Sequence, residues 1–233
     1  MQEVRFDQLT YLHANLPNYS YVGVGRDDGF QGGEYTPIFY NSSVLTLQDS
    51  GTFWLSTPAN WPGNAWNMNC PRIVTWVRLL VKETNAEFMM FNTHWDHGCT
   101  NILNCTFHVQ SAHLMLEKIQ EYSGGLPIII TGDFNEYNQS AGLQLLQNNS
   151  VQNFRGLWDL CNGGEPDDLY TGNGWDPKHV HHNSASSRRI DHILLNSLVK
   201  PKNLSPEECI VYTSLWNGKM MSDHWAVDGN VTF

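Results

Sequence analysis

Residues Leu126–Ser140 read LPIIITGDFNEYNQS. The run LPIII is short, apolar, rich in β-branched side chains and bounded by turn residues, which places it in the buried middle of a sheet. Asp133 and Asn135 follow almost at once. Gly132, Asp133 and Asn135 are all good turn formers, so the segment closes the strand in one reading. In the other, the strand presents a carboxylate and an amide at the rim of a sheet, where ligands are commonly held. What the other strand ends carry decides between them.

Outward from this stretch, the chain alternates strands with a few helices. RIVTWVRLLV (Arg72–Val81) has period two, and EFMMFNT (Glu87–Thr93) follows after the polar KETNA, so the pair predicts an antiparallel hairpin. HVQSAHLMLEKIQEYSGG puts Val109, Ala112, Met115, Leu116 and Ile119 on one helical face and stops at Gly124 and Gly125, directly before LPIII. RIDHILL (Arg189–Leu195), ECIVYTS (Glu208–Ser214) and HWAVDGNVTF (His224–Phe233) all read as strands. Mostly antiparallel strands with interspersed helices predict an α/β sandwich, two packed sheets with helices outside.

The strand ends carry a matched set. EFMMF runs into NTHWDH with His94, LPIII into GDFN with Asp133 and Asn135, RIDHILL carries Asp191, and SDHW opens the last strand with Asp223 and His224. Histidines and carboxylates gathered along one rim are what acid/base and metal chemistry requires.

Composition limits what that chemistry serves. The chain has 233 residues, 41% of them hydrophobic, without an apolar run long enough to span a bilayer. No repeat or Pro/Ser-rich linker divides it, so one domain over 1–233 and a monomer are expected. The formal charge is −10, with 13 Lys and Arg, and the one local basic cluster is Arg188 and Arg189. Long duplex DNA is therefore disfavoured as a partner, whereas a bound metal could supply positive charge locally. The five cysteines, at 70, 99, 105, 161 and 209, form neither a CxxC zinc spacing nor a dense scaffold. Sequons at Asn18, Asn41, Asn104, Asn138, Asn148, Asn203 and Asn230 exceed what this composition gives by chance and lean towards an exported glycoprotein.

Hydrolysis of a phosphate ester fits such a rim. A hard divalent cation, magnesium or manganese, takes oxygen ligands, which Glu3, Asp223 and Asp133 can provide. Two imidazole–carboxylate pairs are available for proton transfer or hydrogen bonding, His224 with Asp191 and His94 with Glu34. Asn135 can orient a phosphate oxygen or the attacking water. Without thiolate ligands, zinc and copper are disfavoured.

In order along the chain, QEV, GEYTPIFY, NTHWDH, GDFN, RRIDHIL and SDHWAV resemble the endonuclease/exonuclease/phosphatase superfamily with the DNase I-like fold. FWLSTPANWPGN (Phe53–Asn64) and PRIVTWVRLL narrow the resemblance to a group of secreted or uncharacterised metal-dependent hydrolases within it. The resemblance implies a four-layered α/β sandwich and metal-dependent phosphoester cleavage by activated water. It also implies a metal-binding Glu3, a phosphate-facing His94, an Asp133 that orients water and an Asn135 that holds phosphate. Asp191 would orient His224, the catalytic histidine; Asp223 would be metal-associated, and Glu34 would support His94. The superfamily ordinarily has a core strand bearing a metal-associated Asn upstream of QEV, so the domain is expected to be N-terminally incomplete. Related chains commonly have basic residues after the DH pair, where this chain has GCTNILNCTFHVQSA.

Three substrate classes stay open: a small or terminal phosphoester, single-stranded nucleic acid, and a phospholipid head group, the last because GWDP before RRIDH is similar to sphingomyelinase relatives. A non-catalytic alternative also stands. WPGNAW (Trp61–Trp66) and GNGWDPKHVHHN (Gly172–Asn183) could form an aromatic binding platform for sugars or bases.

Overall fold

The computed structural model describes residues 1–160, 170–180, 189–201 and 209–232. Cys161, residues 181–183 of the second Trp-bearing loop, Arg188, the sequon at Asn203 and Glu208 lie outside them.

In chain order the elements begin with α1 (Phe6–Asn15), β1 (Tyr19–Val22), β2 (Ile38–Asn41), β3 (Leu45–Trp54), β4 (Ile73–Val81) and β5 (Glu87–His94). Then come α2 (Thr106–Ser123), β6 (Ile128–Asp133), α3 (Ala141–Gln147), β7 (Arg155–Gly156), α4 (Leu157–Leu160) and β8 (Asp191–Leu195). The chain closes with β9 (Lys200–Pro201), β10 (Cys209–Tyr212), β11 (Ala226–Gly229) and β12 (Val231–Thr232).

Six strands form the central sheet in the order β3-β4-β5-β6-β8-β7. The expected hairpin is β4–β5, antiparallel, with Trp76 opposite Phe91. β5 and β6 are the parallel pair, and their crossover runs through α2, as parallel neighbours require. α2 ends at Gly124, whose φ of 55° closes the helix in the left-handed region that glycine takes without penalty. One sheet face packs on α2 and α3, burying Met89, Phe91, Ile128 and Ile130 against Ala112, Met115, Ile119 and Leu143. The opposite face packs on shorter strands: Val77, Leu79 and Phe88 meet Ile38 and Val22. Outside those strands α1 lays Leu9 and Leu12 on Tyr21, Tyr35 and Phe39. Helix, sheet, smaller sheets and helix make the four layers of a DNase I-like sandwich.

Two departures refine the expectation. The strand expected over His224–Phe233 is divided: β11 pairs with β10 and β12 with β9, so the chain changes partner at Asn230, and Phe233 lies outside the described residues. Among the described residues, the smaller layer also consists of three separate two-stranded pieces, β1-β2, β10-β11 and β9-β12. A cavity of about 930 Å³ opens beside it, lined by Val4, Leu12, Met90, Ile193 and Val227 and reaching Glu3, Asp191, Asp223 and His224. Among the described residues, no helix is long and apolar enough to cross a membrane.

Candidate active site

Sheet register builds the centre of the site. His94 pairs with Asp133 across β5 and β6, and Asp133 pairs with Asp191 across β6 and β8. Because β5 and β6 are parallel, both end at the same rim. β8 runs the other way and starts there. Side chains directly across a ladder share a face, so His94, Asp133 and Asp191 stand in one row.

Asp133 is the hub. Its Oδ2 lies 3.5 Å from His94 Nε2 and 3.8 Å from His224 Nε2, while its Oδ1 accepts the Asn135 N–H at 2.8 Å. Asn135 adopts φ 49° and donates one amide hydrogen to the Trp95 carbonyl at 3.0 Å, leaving its second amide hydrogen for a ligand. The segment is thus both of the things its sequence allowed: an Asx-type turn and a rim that offers a carboxylate and an amide.

His224 donates from Nδ1 to Asp191 Oδ2 at 2.8 Å. It arrives from the loop before β11, and the segment around Thr171 holds that loop in place. Trp225 N–H bonds the Thr171 carbonyl at 2.7 Å, and Thr171 Oγ1 accepts the N–H groups of Ile190 and Asp191. Asn173 and Gly174 both donate their N–H to the Asp223 carbonyl. The stretch read as an aromatic loop therefore latches the C-terminal rim to β8. Its Trp175 is 62% exposed, with φ 65°, on the edge of the cavity that Asp223 and His224 also line.

Glu3, in the segment before α1, brings Oε1 to 3.7 Å from His94 Nε2. The expected pairing of His94 with Glu34 does not form. Glu34 instead binds Arg26, Oε2 to Nη1 at 2.6 Å, because the loop between β1 and β2 folds back on itself through the Arg26–Glu34 and Asp27–Gly32 backbone bonds. His94 keeps Nδ1 buried without a partner among the described residues.

The electrostatics follow from this crowding. Burial, then the charge of Asp191, pushes the Asp133 carboxyl up to about 8, against the opposing pull of His224 and the Asn135 N–H. Burial works against a charged His224, yet the hydrogen bond to Asp191 and the charges of Asp191, Asp133 and Asp223 outweigh it and raise the ring to about 9. His94 goes the other way: burial first, then Arg72 and Arg26, hold it well below the ordinary imidazole value. Burial, then the neighbouring carboxylates Glu34 and Asp223, raises Glu3. At neutral pH the two histidines thus differ, His94 neutral and His224 an imidazolium.

Among the described residues, two groups of potential metal ligands share Asp133: Glu3, His94 and Asp133, and Asp133, Asp191 and His224, each with its ligand atoms within 4.8 Å of one another. Asp223 belongs to neither, although its charge reaches both Glu3 and His224. Mutually repelling carboxylates on a rim fit a divalent cation, which would relieve that repulsion.

Charged residues outside the sequence-predicted set support these loops. His108 and Glu136 are both fully buried, with Nδ1 3.0 Å from Oε1. His108 Nε2 lies 2.6 Å from the Asp96 carbonyl, and Glu136 Oε2 accepts the Leu143 N–H. The pair ties the loop after β5 to the loop after β6. Arg72, 2% exposed, places Nε 3.3 Å from Asp96 Oδ2. A visible sign existed for His108, which shares the helical stripe of Ala112, Met115 and Ile119. A disulfide joins Cys99 to Cys105 just beyond.

The chain matches the model described as the Endonuclease/Exonuclease/phosphatase family over residues 1–224. It is similar to a mannosyl-6-phosphatase of Bacteroides thetaiotaomicron, with 32% identity over 100% of this chain and 84% of that one and a TM-score of 0.82. An endonuclease/exonuclease/phosphatase of Bacteroides vulgatus shows 33% identity over 97% of this chain and 80% of that one, with a TM-score of 0.79. The TDP2 of D. rerio, solved with a single-stranded DNA product, is 19% identical over 96% of this chain and 81% of that one; its TM-score of 0.68 speaks for the fold alone. No curated protein sequence matches the chain.

Proposed function

Because the chain belongs to the endonuclease/exonuclease/phosphatase family and is a metal-dependent phosphoester hydrolase, we propose that it removes the terminal phosphate of a small sugar phosphate, with magnesium as its ion. The observation that carries the substrate class is the likeness, over its whole length, to a mannosyl-6-phosphatase. The net charge of −10 supports a small anionic substrate over a long polyanion.

Each residue then has a role that its surroundings suit. Glu3 and Asp223, with Asp133 near, hold the ion. When bound, magnesium neutralises phosphate charge and stabilises the charge that develops in the transition state. Asp133, within reach of both imidazoles, orients the attacking water. His224 carries a proton at neutral pH and therefore donates to a phosphate oxygen, with Asp191 fixing its ring. Neutral His94 and the free amide hydrogen of Asn135 hold the remaining phosphate oxygens. Glu34 acts at one remove, through Arg26. The exposed Trp175 indole offers a flat apolar surface for the sugar ring.

The test is a panel assay with magnesium on mannose 6-phosphate, bis-p-nitrophenyl phosphate, single-stranded DNA and RNA, and sphingomyelin. The proposal expects the sugar phosphate to be turned over with the highest kcat/KM. A preference for nucleic acid or for sphingomyelin would replace it.

A further inference from the structure

Of the three residues NTH that close β5, His94 alone has a role above. Asn92 lies two positions before it, on the same face of the strand, and is 1% exposed. Its partners across the sheet are Thr75 on β4 and Thr131 on β6. The three make a polar row that runs alongside His94–Asp133–Asp191, roughly 7 Å further into the sheet at two residues of strand rise.

Asn92 uses its whole side-chain amide. Nδ2 donates to the Met1 carbonyl at 2.7 Å and to the Pro37 carbonyl at 3.3 Å. Oδ1 accepts from Gln2 Nε2 at 2.8 Å and from Thr131 Oγ1 at 2.9 Å. An amide has two donor hydrogens and two acceptor lone pairs, so all four are occupied. Thr75 extends the row, with Oγ1 3.1 Å from Thr36 Oγ1, the residue before Pro37. The same sheet face buries Val77, Leu79 and Phe88 in apolar contacts. A polar residue in that setting costs free energy unless its bonds are made, and here two of the four go to Met1 and Gln2.

Those bonds hold the approach to Glu3. Glu3 adopts φ 57°, in the left-handed region that a residue other than glycine keeps only where its surroundings hold it. Asn92 grips the two residues before it. Val4, the residue after it, pairs with Tyr35, whose N–H donates to the Val4 carbonyl at 2.8 Å. Fastened on both sides, the exposed Glu3 carries Oε1 to 3.7 Å from His94 Nε2.

We propose that Asn92 is the positioning residue of the metal site: by holding Met1 and Gln2 on the sheet it sets where the Glu3 carboxylate stands against His94 and Asp133, and so how tightly the site takes magnesium. The inference rests on Glu3 being a ligand of the ion, as in the functional reading. Residues that orient a metal ligand without touching the metal typically carry 10- to 100-fold in affinity.

The experiment is a titration of magnesium into the metal-free protein, followed by calorimetry well below the melting temperature. It compares the native chain, Asn92→Ala and the milder Gln2→Met, each alone and combined with Glu3→Gln. Asn92→Ala should weaken magnesium binding about 10- to 100-fold, and Gln2→Met, which removes one of the four bonds, about fivefold. In the Glu3→Gln background both changes should be nearly silent, because they act through the carboxylate that is already gone. A role in folding alone would lower the melting temperature and leave the affinity of the folded protein unchanged. Affinity within twofold of native in Asn92→Ala would overturn the proposal, as would an equal loss with and without the Glu3 carboxylate. If Asn92→Ala does not fold, Gln2→Met decides by the same criteria. Native affinity in Glu3→Gln would overturn the assignment of the ligand, and this inference with it; weakened binding in Glu3→Gln beside native binding in Asn92→Ala would overturn this inference alone.

Discussion

The Nδ1 of His224 stands 2.8 Å from Asp191 Oδ2, although the two residues lie 33 positions apart in the chain. The contact fixes the ring so that Nε2 faces Asp133. Replacing Asp191 with Asn keeps the size and withdraws the charge that holds the imidazolium. Turnover should fall by on the order of 10² to 10⁴, the range for removing acid/base help, and the melting temperature of the metal-free protein at neutral pH should fall as well, because the contact that raises His224 also stabilises the fold. Steady-state kinetics at saturating magnesium check this; turnover within twofold of native would remove the pair from the mechanism.

The same contact sets a pH dependence for the metal-free protein. His224 is raised from 6.5 to about 9, so its contribution to stability is full below about pH 6.5 and is lost as pH rises through about 9. Asp133, raised from 3.8 to about 8, keeps in the folded state a proton that the unfolded chain has released, and its effect has the same sign. The chelated protein should therefore melt at progressively lower temperature between pH 6.5 and 9. Magnesium should flatten that slope, because binding favours the ionised carboxylates. Thermal melts at several pH values, with and without the ion, would show a flat or rising profile if the groups were misassigned.

Chelator should abolish activity, and magnesium or manganese should restore it. The ligands assigned to the ion are oxygens, and hard cations prefer them. Full activity with zinc alone, at matched occupancy measured by metal analysis, would instead implicate the imidazoles as ligands.

Changing His108 to Ala leaves Glu136 buried without its partner. Breaking a buried pair in this way costs about 3 to 5 kcal/mol, and denaturant unfolding should register a loss of that size. A double change of His108 and Glu136 to Leu should recover much of the stability while leaving activity low, since the tie between the loops after β5 and β6 is gone. A single variant as stable as the native chain would show that the pair is incidental.

Much of this rim is legible in the sequence because apolar strands that end in His, Asp or Asn leave few other readings. His94, Asp133, Asp191 and His224 all follow from that pattern, and register brings three of them into line. Glu34 pairs with Arg26 and not with His94 because it lies on a loop, where no sequence periodicity fixes a partner. Arg72, His108 and Glu136 escaped for a different reason. A charged residue at a core position looks like a surface residue until the topology closes around it, and their partners lie 24 to 28 residues away in the chain. The split of the last strand was hidden too, since an unbroken β pattern does not say that its two halves pair with different neighbours.

The row His94–Asp133–Asp191 bears on how this domain can change length. Side chains alternate faces along a strand, so one residue inserted within β5, β6 or β8 would turn every later side chain of that strand to the opposite face. Asp133 would then exchange places with Gly132 or Phe134, and the row would lose its middle member. The turn at Gly124 and Gly125 is under no such constraint: a Cβ added at either glycine meets nothing within 4 Å. Insertions there lengthen only the solvent-facing end of the β5–α2–β6 crossover. Length variation among descendants of this chain should accordingly collect in that turn and in similar loops, while the spacing from Ile128 to Asn135 stays fixed.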